Sequence, residues 1–140
     1  MSDMNDYNQS IIDEFRANEG QVGGMFAGAP IILLSTTGAK SGQTRVNPLA
    51  GQLADDGTIF VFASAAGSPK DPDWYRNLVA HPEVVVEFGL ETFTALATTV
   101  TGAKRDEIYA RQKEAMAQFA EYEEKAGRTI PVVALTRTGS

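Results

Sequence analysis

The chain has 140 residues, 43% hydrophobic and 21% charged, with a net charge of −6, which is globular composition with material for one core. The acidic balance excludes non-specific nucleic-acid binding, which needs cations against phosphates, and no apolar run approaches the ~20 residues that span a bilayer. The absence of cysteine removes disulfides, thiolate metal sites and cysteine nucleophiles, and the polar, acidic stretch Met1–Ser10 is unlike a secretory signal, so the expected location is cytoplasmic.

Taken in chain order, Asn8–Asn18 sets Ile11, Ile12 and Phe15 at helical spacing before Gly20, Gly23 and Gly24, which predicts a short amphipathic helix and a flexible lead-in. That helix either packs on the domain or covers a ligand site. Residues 1–24 are read as this lead-in and 25–140 as the main domain. Ile31–Thr37 is a short β-branched run and predicts a buried strand, and Gly38–Gly42 turns the chain into a second strand over Arg45–Leu53. Pro48 marks an edge or a bulge in that strand. Asp55-Asp56-Gly57 predicts a hairpin into a third strand, Thr58–Ser64.

Pro72 opens a helix running to about Ala80, which Pro82 stops. Val84–Phe88 and Phe93–Thr101 form a hairpin around Gly89-Leu90-Glu91. Residues 104–126 carry six acids and five bases, with Ile108, Met116, Phe119 and Tyr122 for an inward face; this predicts one long helix. Ile130–Thr136 closes the chain as a last strand. The fold class is α+β, mainly β: about six strands in a closed or nearly closed barrel, with an N-terminal helix, a short helix after the third strand and a long C-terminal helix.

Charge is unevenly placed. Residues 1–24 hold five acids against Arg16, whereas Met25–Ala54 has no acid and only Lys40 and Arg45. A cationic, glycine-flanked island can receive an anionic ligand, or it can be a basic hairpin on a mixed surface. Gly38-Ala39-Lys40-Ser41-Gly42 is not a nucleotide-triphosphate loop, because the two glycines that loop requires are Ala39 and Leu34 here. Its exposed backbone N–H groups, a lysine, a hydroxyl and nearby Arg45 remain suited to phosphate or carboxylates. His81 is the only histidine and reads as structural; no metal site is expected. Trp74-Tyr75-Arg76-Asn77 at a helix start can cradle a flat heterocycle and its polar edge, or anchor the helix to the barrel.

These segments carry a resemblance. Thr36–Leu49, then Phe62-Ala63-Ser64, then Pro72–Leu78 and finally Arg128-Thr129-Ile130-Pro131-Val132 resemble, in order, the deazaflavin-dependent nitroreductase family of actinobacteria, the match running from about Ile31 to Leu135. The resemblance implies a split β-barrel that binds coenzyme F420, a deazaflavin with a phospholactyl-oligoglutamate tail. It implies that Lys40 and Arg45, with Ala39 and Ser41 between and around them, meet the phosphate and tail. The ring is then lined by Val46, Asn47, Pro48, Leu49 and Ala50, by Phe62, Ala63, Ser64 and Ala65, and by Asp73, Trp74, Tyr75, Arg76 and Asn77. Ala39 stands where the family usually has an arginine, and of the tyrosines that nitroreducing members carry near the end of the long helix only Tyr122 is retained.

The implied activity is an F420H2-dependent reductase that passes a hydride to an electron-poor acceptor: an enone or lactone of the coumarin type, a quinone or a nitro compound. The proton is expected from Tyr122, Ser64 or water, with Tyr122 and Ser64 the candidate catalytic residues. Met25, Phe26, Met116, Phe119 and Tyr122 are expected to line the acceptor's side of the ring, favouring a hydrophobic small molecule and ranking enones and quinones above nitroimidazoles. An FMN-binding barrel and a non-enzymatic binder of the cofactor or of a hydrophobic ligand are the alternatives. Neither a nucleic-acid partner nor a membrane is indicated, and a monomer or weak dimer is left open.

Overall fold

The computed structural model describes residues 3–17, 31–64 and 67–138. Helix α1 (Asp3–Ala17) is followed by strands β1 (Ile31–Thr37), β2 (Thr44–Leu53) and β3 (Ile59–Phe62). Helix α2 (Asp73–Ala80), β4 (Glu83–Phe88), β5 (Glu91–Val100), α3 (Gly102–Ala115), α4 (Gln118–Ala126) and β6 (Val132–Arg137) complete the chain. All pairings are antiparallel, and the strands close into a barrel in the order β1-β2-β3-β6-β5-β4.

Side-chain alternation decides what fills the barrel. Ile32 and Leu34, Ile59 and Val61, Val84 and Val86, Phe93, Ala95 and Ala97, and Val133 and Leu135 point inward and form one apolar cluster. The opposite parity meets helices on two sides. Ile31 and Leu33 are covered by Ile11, Ile12 and Phe15 of α1, while Phe60, Phe62 and Val132 are covered by Ile108, Tyr109 and Phe119 of α3 and α4. That is why β1 reads as an unbroken apolar run, buried on both faces, whereas β5, with one face in water, alternates. Helix α1 is further tied down by two hydrogen bonds from Arg16 to Glu87 of β4, at 3.2 and 2.9 Å.

Helix α2 plugs one end of the barrel, with Trp74 and Leu78 inside the inner cluster. Pro48 pairs with Leu33 in unbroken register, so there is no bulge; its part of β2 has β1 as a neighbour while β3 pairs only from Gly51 onward, which leaves the locally open edge that proline tolerates.

The long C-terminal helix is two helices. The chain is extended at Met116, and α4 restarts at Gln118. No glycine or proline marks the break; it is set by packing. The turn brings Phe119 edge-on to Phe62 and Tyr109, at 5.5 and 6.3 Å between centroids, and lets the Tyr109 hydroxyl donate to the Phe119 carbonyl at 2.7 Å. Those contacts outweigh the high helix propensity of Ala-Met-Ala, which on its own would continue the helix.

Candidate functional site

A cleft of about 980 Å³ opens where the β1–β2 loop, the first half of β2, α1 and the start of α2 meet. The β1–β2 loop is rigid for a reason visible in its sequence. Gly38 N–H donates to Gln43 O at 2.8 Å and Gly42 N–H to Gly38 O at 3.0 Å, with Gly42 at φ +70°, a backbone state that glycine adopts without strain. A Cβ on Gly38 would lie 2.5 Å from Ser41 Oγ and 3.3 Å from Gln43 O, so a side chain there would turn the Ser41 hydroxyl away and press on the loop backbone.

The sequence suggested that this loop offers its backbone N–H groups to an anion. In the structure three of the five N–H groups of Gly38–Gly42 are taken up within the protein. The N–H groups of Gly38 and Gly42 close the loop, that of Gln43 donates to Ser41 Oγ at 3.2 Å, and that of Ala39 donates to Asn77 Oδ1 at 3.0 Å. The loop also presents side chains: Lys40, Ser41 and, at the start of β2, Arg45, all exposed. Among the described residues neither Lys40 nor Arg45 is engaged in a salt bridge. The cleft's third cation, Arg76, pairs with Asp73, one helical turn away, and donates to Asp71 O at 2.9 Å. Three cations against one carboxylate make the cleft attractive to an anion with several charges.

Helix α2 supplies the opposite wall. Asp73, Trp74, Arg76 and Asn77 fall at i, i+1, i+3 and i+4, and so face the cleft together. Asn77 is buried, and both ends of its amide are used: Nδ2 donates to Thr36 Oγ1 at 3.2 Å while Oδ1 accepts the Ala39 N–H. Its role is thus to lock the loop to the helix, which needs a donor and an acceptor on one side chain. Trp74 borders the cleft yet is 5% exposed, with most of its indole inside the barrel.

The predicted site residues fall into separate groups. Ala39, Lys40, Ser41, Arg45, Val46, Asn47, Asp73, Trp74, Arg76 and Asn77 all line the cleft. Leu49 and Tyr75 pack against the inner cluster, the Tyr75 hydroxyl sharing a hydrogen bond with Thr99 Oγ1 at 3.1 Å; Pro48 is half-buried opposite Leu33, and Ala50 lies under the helices. Phe62 and Ala63 do not line the cleft, because Phe62 belongs to the cluster under α3 and α4 and Ala63 is fully buried inside the barrel. Ser64 is buried at the end of β3.

Phe119 is likewise buried, and Met116 and Tyr122 are half-buried against the same cluster, Tyr122 at 5.2 Å from the Phe119 ring. Tyr109, unremarked in the sequence, is the fully buried phenol of this group; burial first, then the Glu123 carboxylate, pushes its pKa up to about 12, and it serves packing. Met25, Phe26 and Ala65 lie outside the described residues. Gln9, Ile12 and Thr44 also line the cleft and were not assigned to it as cofactor residues. Gln9 and Ile12 are three apart on α1, the spacing that would have found them. Helix α1 therefore packs on the barrel and, through Gln9 and Ile12, borders the cleft.

A family model described as F420H(2)-dependent quinone reductase matches residues 9–137. An F420H(2)-dependent quinone reductase of Mycobacterium tuberculosis is 37% identical over 130 residues, covering 88% of this chain and 85% of the relative. Among solved structures, one described as an F420-H2 dependent reductase superposes with a TM-score of 0.68 at 38% identity, covering 76% of this chain and 93% of the other. Another, described as a domain-swapped dimer, has a TM-score of 0.68 at 32% identity and covers 91% of this chain and 98% of the other. A heme storage protein of Vibrio cholerae, at 18% identity and a TM-score of 0.60, shares the fold alone.

Proposed function

The chain belongs to the F420H(2)-dependent quinone reductase family, and on that premise we propose that its cleft holds coenzyme F420 by the anionic tail and that a quinone-type molecule is the acceptor. The chain is an oxidoreductase with a split-barrel fold, and its cofactor is reduced coenzyme F420. The observation that carries the reading is that, among the described residues, Lys40 and Arg45 make no salt bridge and share the cleft with one carboxylate, Asp73. The fit to a phosphate followed by glutamates is direct, because such a tail needs several cations along a groove rather than one nest of N–H groups.

When bound, the reduced deazaflavin supplies the hydride that the acceptor takes up. Lys40 Nζ, Ser41 Oγ and the Arg45 guanidinium bind the phosphate and tail. Arg76 offers a third cation beside Ala39, where the usual arginine is missing. Val46, Asn47, Trp74 and Asn77, which line the cleft, would orient the ring; Pro48, Leu49, Ala50 and Ser64, which do not line it, would bound the ring only where the cofactor extends past the cleft. Gln9 and Ile12 exclude water from one side. The proton that the reduced acceptor oxygen requires would come from Tyr122 Oη, Ser64 Oγ or water; neither side chain lines the cleft, and the Tyr122→Phe comparison below decides whether Tyr122 reaches the acceptor.

Titration of the purified protein with F420 and with FMN tests the cofactor's place in the cleft. F420 is expected to bind more tightly, and added salt to weaken it; tighter FMN binding returns the site to an ordinary flavin. Steady-state turnover tests the acceptor: a quinone and a coumarin-type enone should both outrun a nitroimidazole, since Met116–Tyr122 keeps one tyrosine. In Tyr122→Phe, kcat for the quinone should fall about a hundredfold with KM little changed, the usual scale for a lost general acid. An unaltered kcat leaves Tyr122 as packing for α4.

A further inference from the structure

Arg128 opens the last of the four segments that carried the resemblance, yet it lines no part of the cleft. Gly127, in the left-handed region at φ +63°, ends α4 and turns Arg128 back under the β3–α2 connection, and fully buried Ile130 fixes the chain just beyond it. Its side chain is 17% exposed and makes one ion pair and several hydrogen bonds to a single stretch of chain. Nη1 meets Asp71 Oδ1 at 2.7 Å, Nε donates to Ser68 O at 3.1 Å, and Nη2 donates to Ala63 O at 3.0 Å and Lys70 O at 3.1 Å, with Ser64 O at 3.5 Å.

The described residues of the held stretch, 63–64 and 67–71, lie outside the strands and α-helices, and two ties among them are short in range: Gly67 N–H to Ser64 O at 2.9 Å, and Lys70 N–H to Ser68 Oγ at 3.2 Å. It packs closely on α4, where a Cβ on Gly67 would meet the Lys125 side chain at 3.0 Å. One end of the stretch is Ser64. The other is Asp71, two residues before α2, whose first turn is closed by Tyr75 N–H donating to Pro72 O at 3.1 Å. Through α2 the same anchor reaches Asn77 and the Ala39 N–H. A planar fork with five donors, aimed at carbonyls from four residues and one carboxylate, defines a position in a way no single charge can.

We propose that Arg128 is a positioning residue for the ring end of the cofactor site, fixing Ser64 and the start of α2 relative to one another without touching cofactor or acceptor; this rests on the F420 reading above. Lys40 and Arg45 act on the tail, so the two roles separate by ligand. The experiment measures dissociation constants, well below the melting temperature, for F420 and for the tailless deazaflavin chromophore. The proteins are wild type, Arg128→Lys, Arg128→Ala and Lys40→Ala.

Arg128→Ala should weaken both ligands by the same factor, about ten- to a hundredfold on the scale of lost charged hydrogen bonds, and guanidinium ion should restore part of the loss. Lys40→Ala should weaken F420 alone. Arg128→Lys, which keeps the charge but cannot reach all the carbonyls, should lose severalfold for both ligands and so carries the test if the alanine variant does not fold. A folded Arg128 variant with wild-type affinity for the tailless chromophore overturns the proposal, as does a loss confined to F420. Failure of the wild type to bind either deazaflavin overturns the cofactor reading itself, and is distinguishable from both.

Discussion

Replacing Lys40 and Arg45 together by alanine is expected to weaken F420 binding by at least a hundredfold while leaving the fold intact. Each removes a charge-assisted contact worth about 1.5–3 kcal/mol when well formed, and exposure at the cleft mouth places the effect toward the lower part of that range. Stability should be nearly untouched, because both side chains are exposed and unpaired among the described residues, so no partner is left stranded. Fluorescence titration at low and high salt is the measurement. The wild type should lose affinity as salt rises and the double variant should lose much less, because screening acts on the very charges that were removed. A salt dependence equal to that of wild type, with unchanged affinity, would remove both residues from the tail site.

The barrel was legible because its burial is written in simple periods. Ile31–Leu34, buried on both faces, reads as a continuous run; Phe93, Ala95 and Ala97 alternate with exposed threonines and Leu96. The break at Met116 was not legible, since nothing local forces it and its cause lies in Phe62, more than fifty residues earlier, receiving Phe119 and Tyr109. Chain-distant causes of this kind hide from any window of sequence.

The site divides the same way. Charge counting singled out Lys40 and Arg45, which the structure brings to the cleft, because an acid-free stretch is a property of sequence. The fate of the loop's N–H groups could not be counted. It depends on Asn77, thirty-eight positions away from Ala39, supplying the acceptor that a ligand was expected to be. Grouping Met116, Phe119 and Tyr122 as an acceptor lining followed a helical stripe, and such a stripe records burial before it records function: Phe119 proves to be the hinge of a packed cluster. Arg128 was noticed as part of a motif but had no reading, because an arginine that binds backbone carbonyls leaves no signature in the residues it holds.

Trp74→Ala is expected to be the most damaging single change to stability. The indole sits at 5% exposure among Ile32, Leu34, Val84 and Val133, where α2 stoppers the barrel, and it meets the Tyr75 ring edge-on at 6.4 Å. Truncating a buried aromatic to alanine costs about 3–5 kcal/mol through lost transfer free energy and an unfilled cavity. For a chain of this length that lowers the melting temperature by roughly 10 °C or more. Trp74→Phe keeps an aromatic stopper and should lose only about 1–2 kcal/mol. Because α2 also carries Asn77, undocking the helix would free the Ala39 N–H and loosen the tail loop, so the alanine variant should lose affinity for F420 along with stability. The phenylalanine variant separates anchoring from ring contact. If the indole edge in the cleft touches the deazaflavin, Trp74→Phe changes cofactor affinity or fluorescence quenching while melting close to wild type. If its work is to hold α2, affinity follows stability across both variants. Thermal melts and titrations on the same preparations decide between these, and a Trp74→Ala protein that melts within a degree or two of wild type would contradict the burial argument outright.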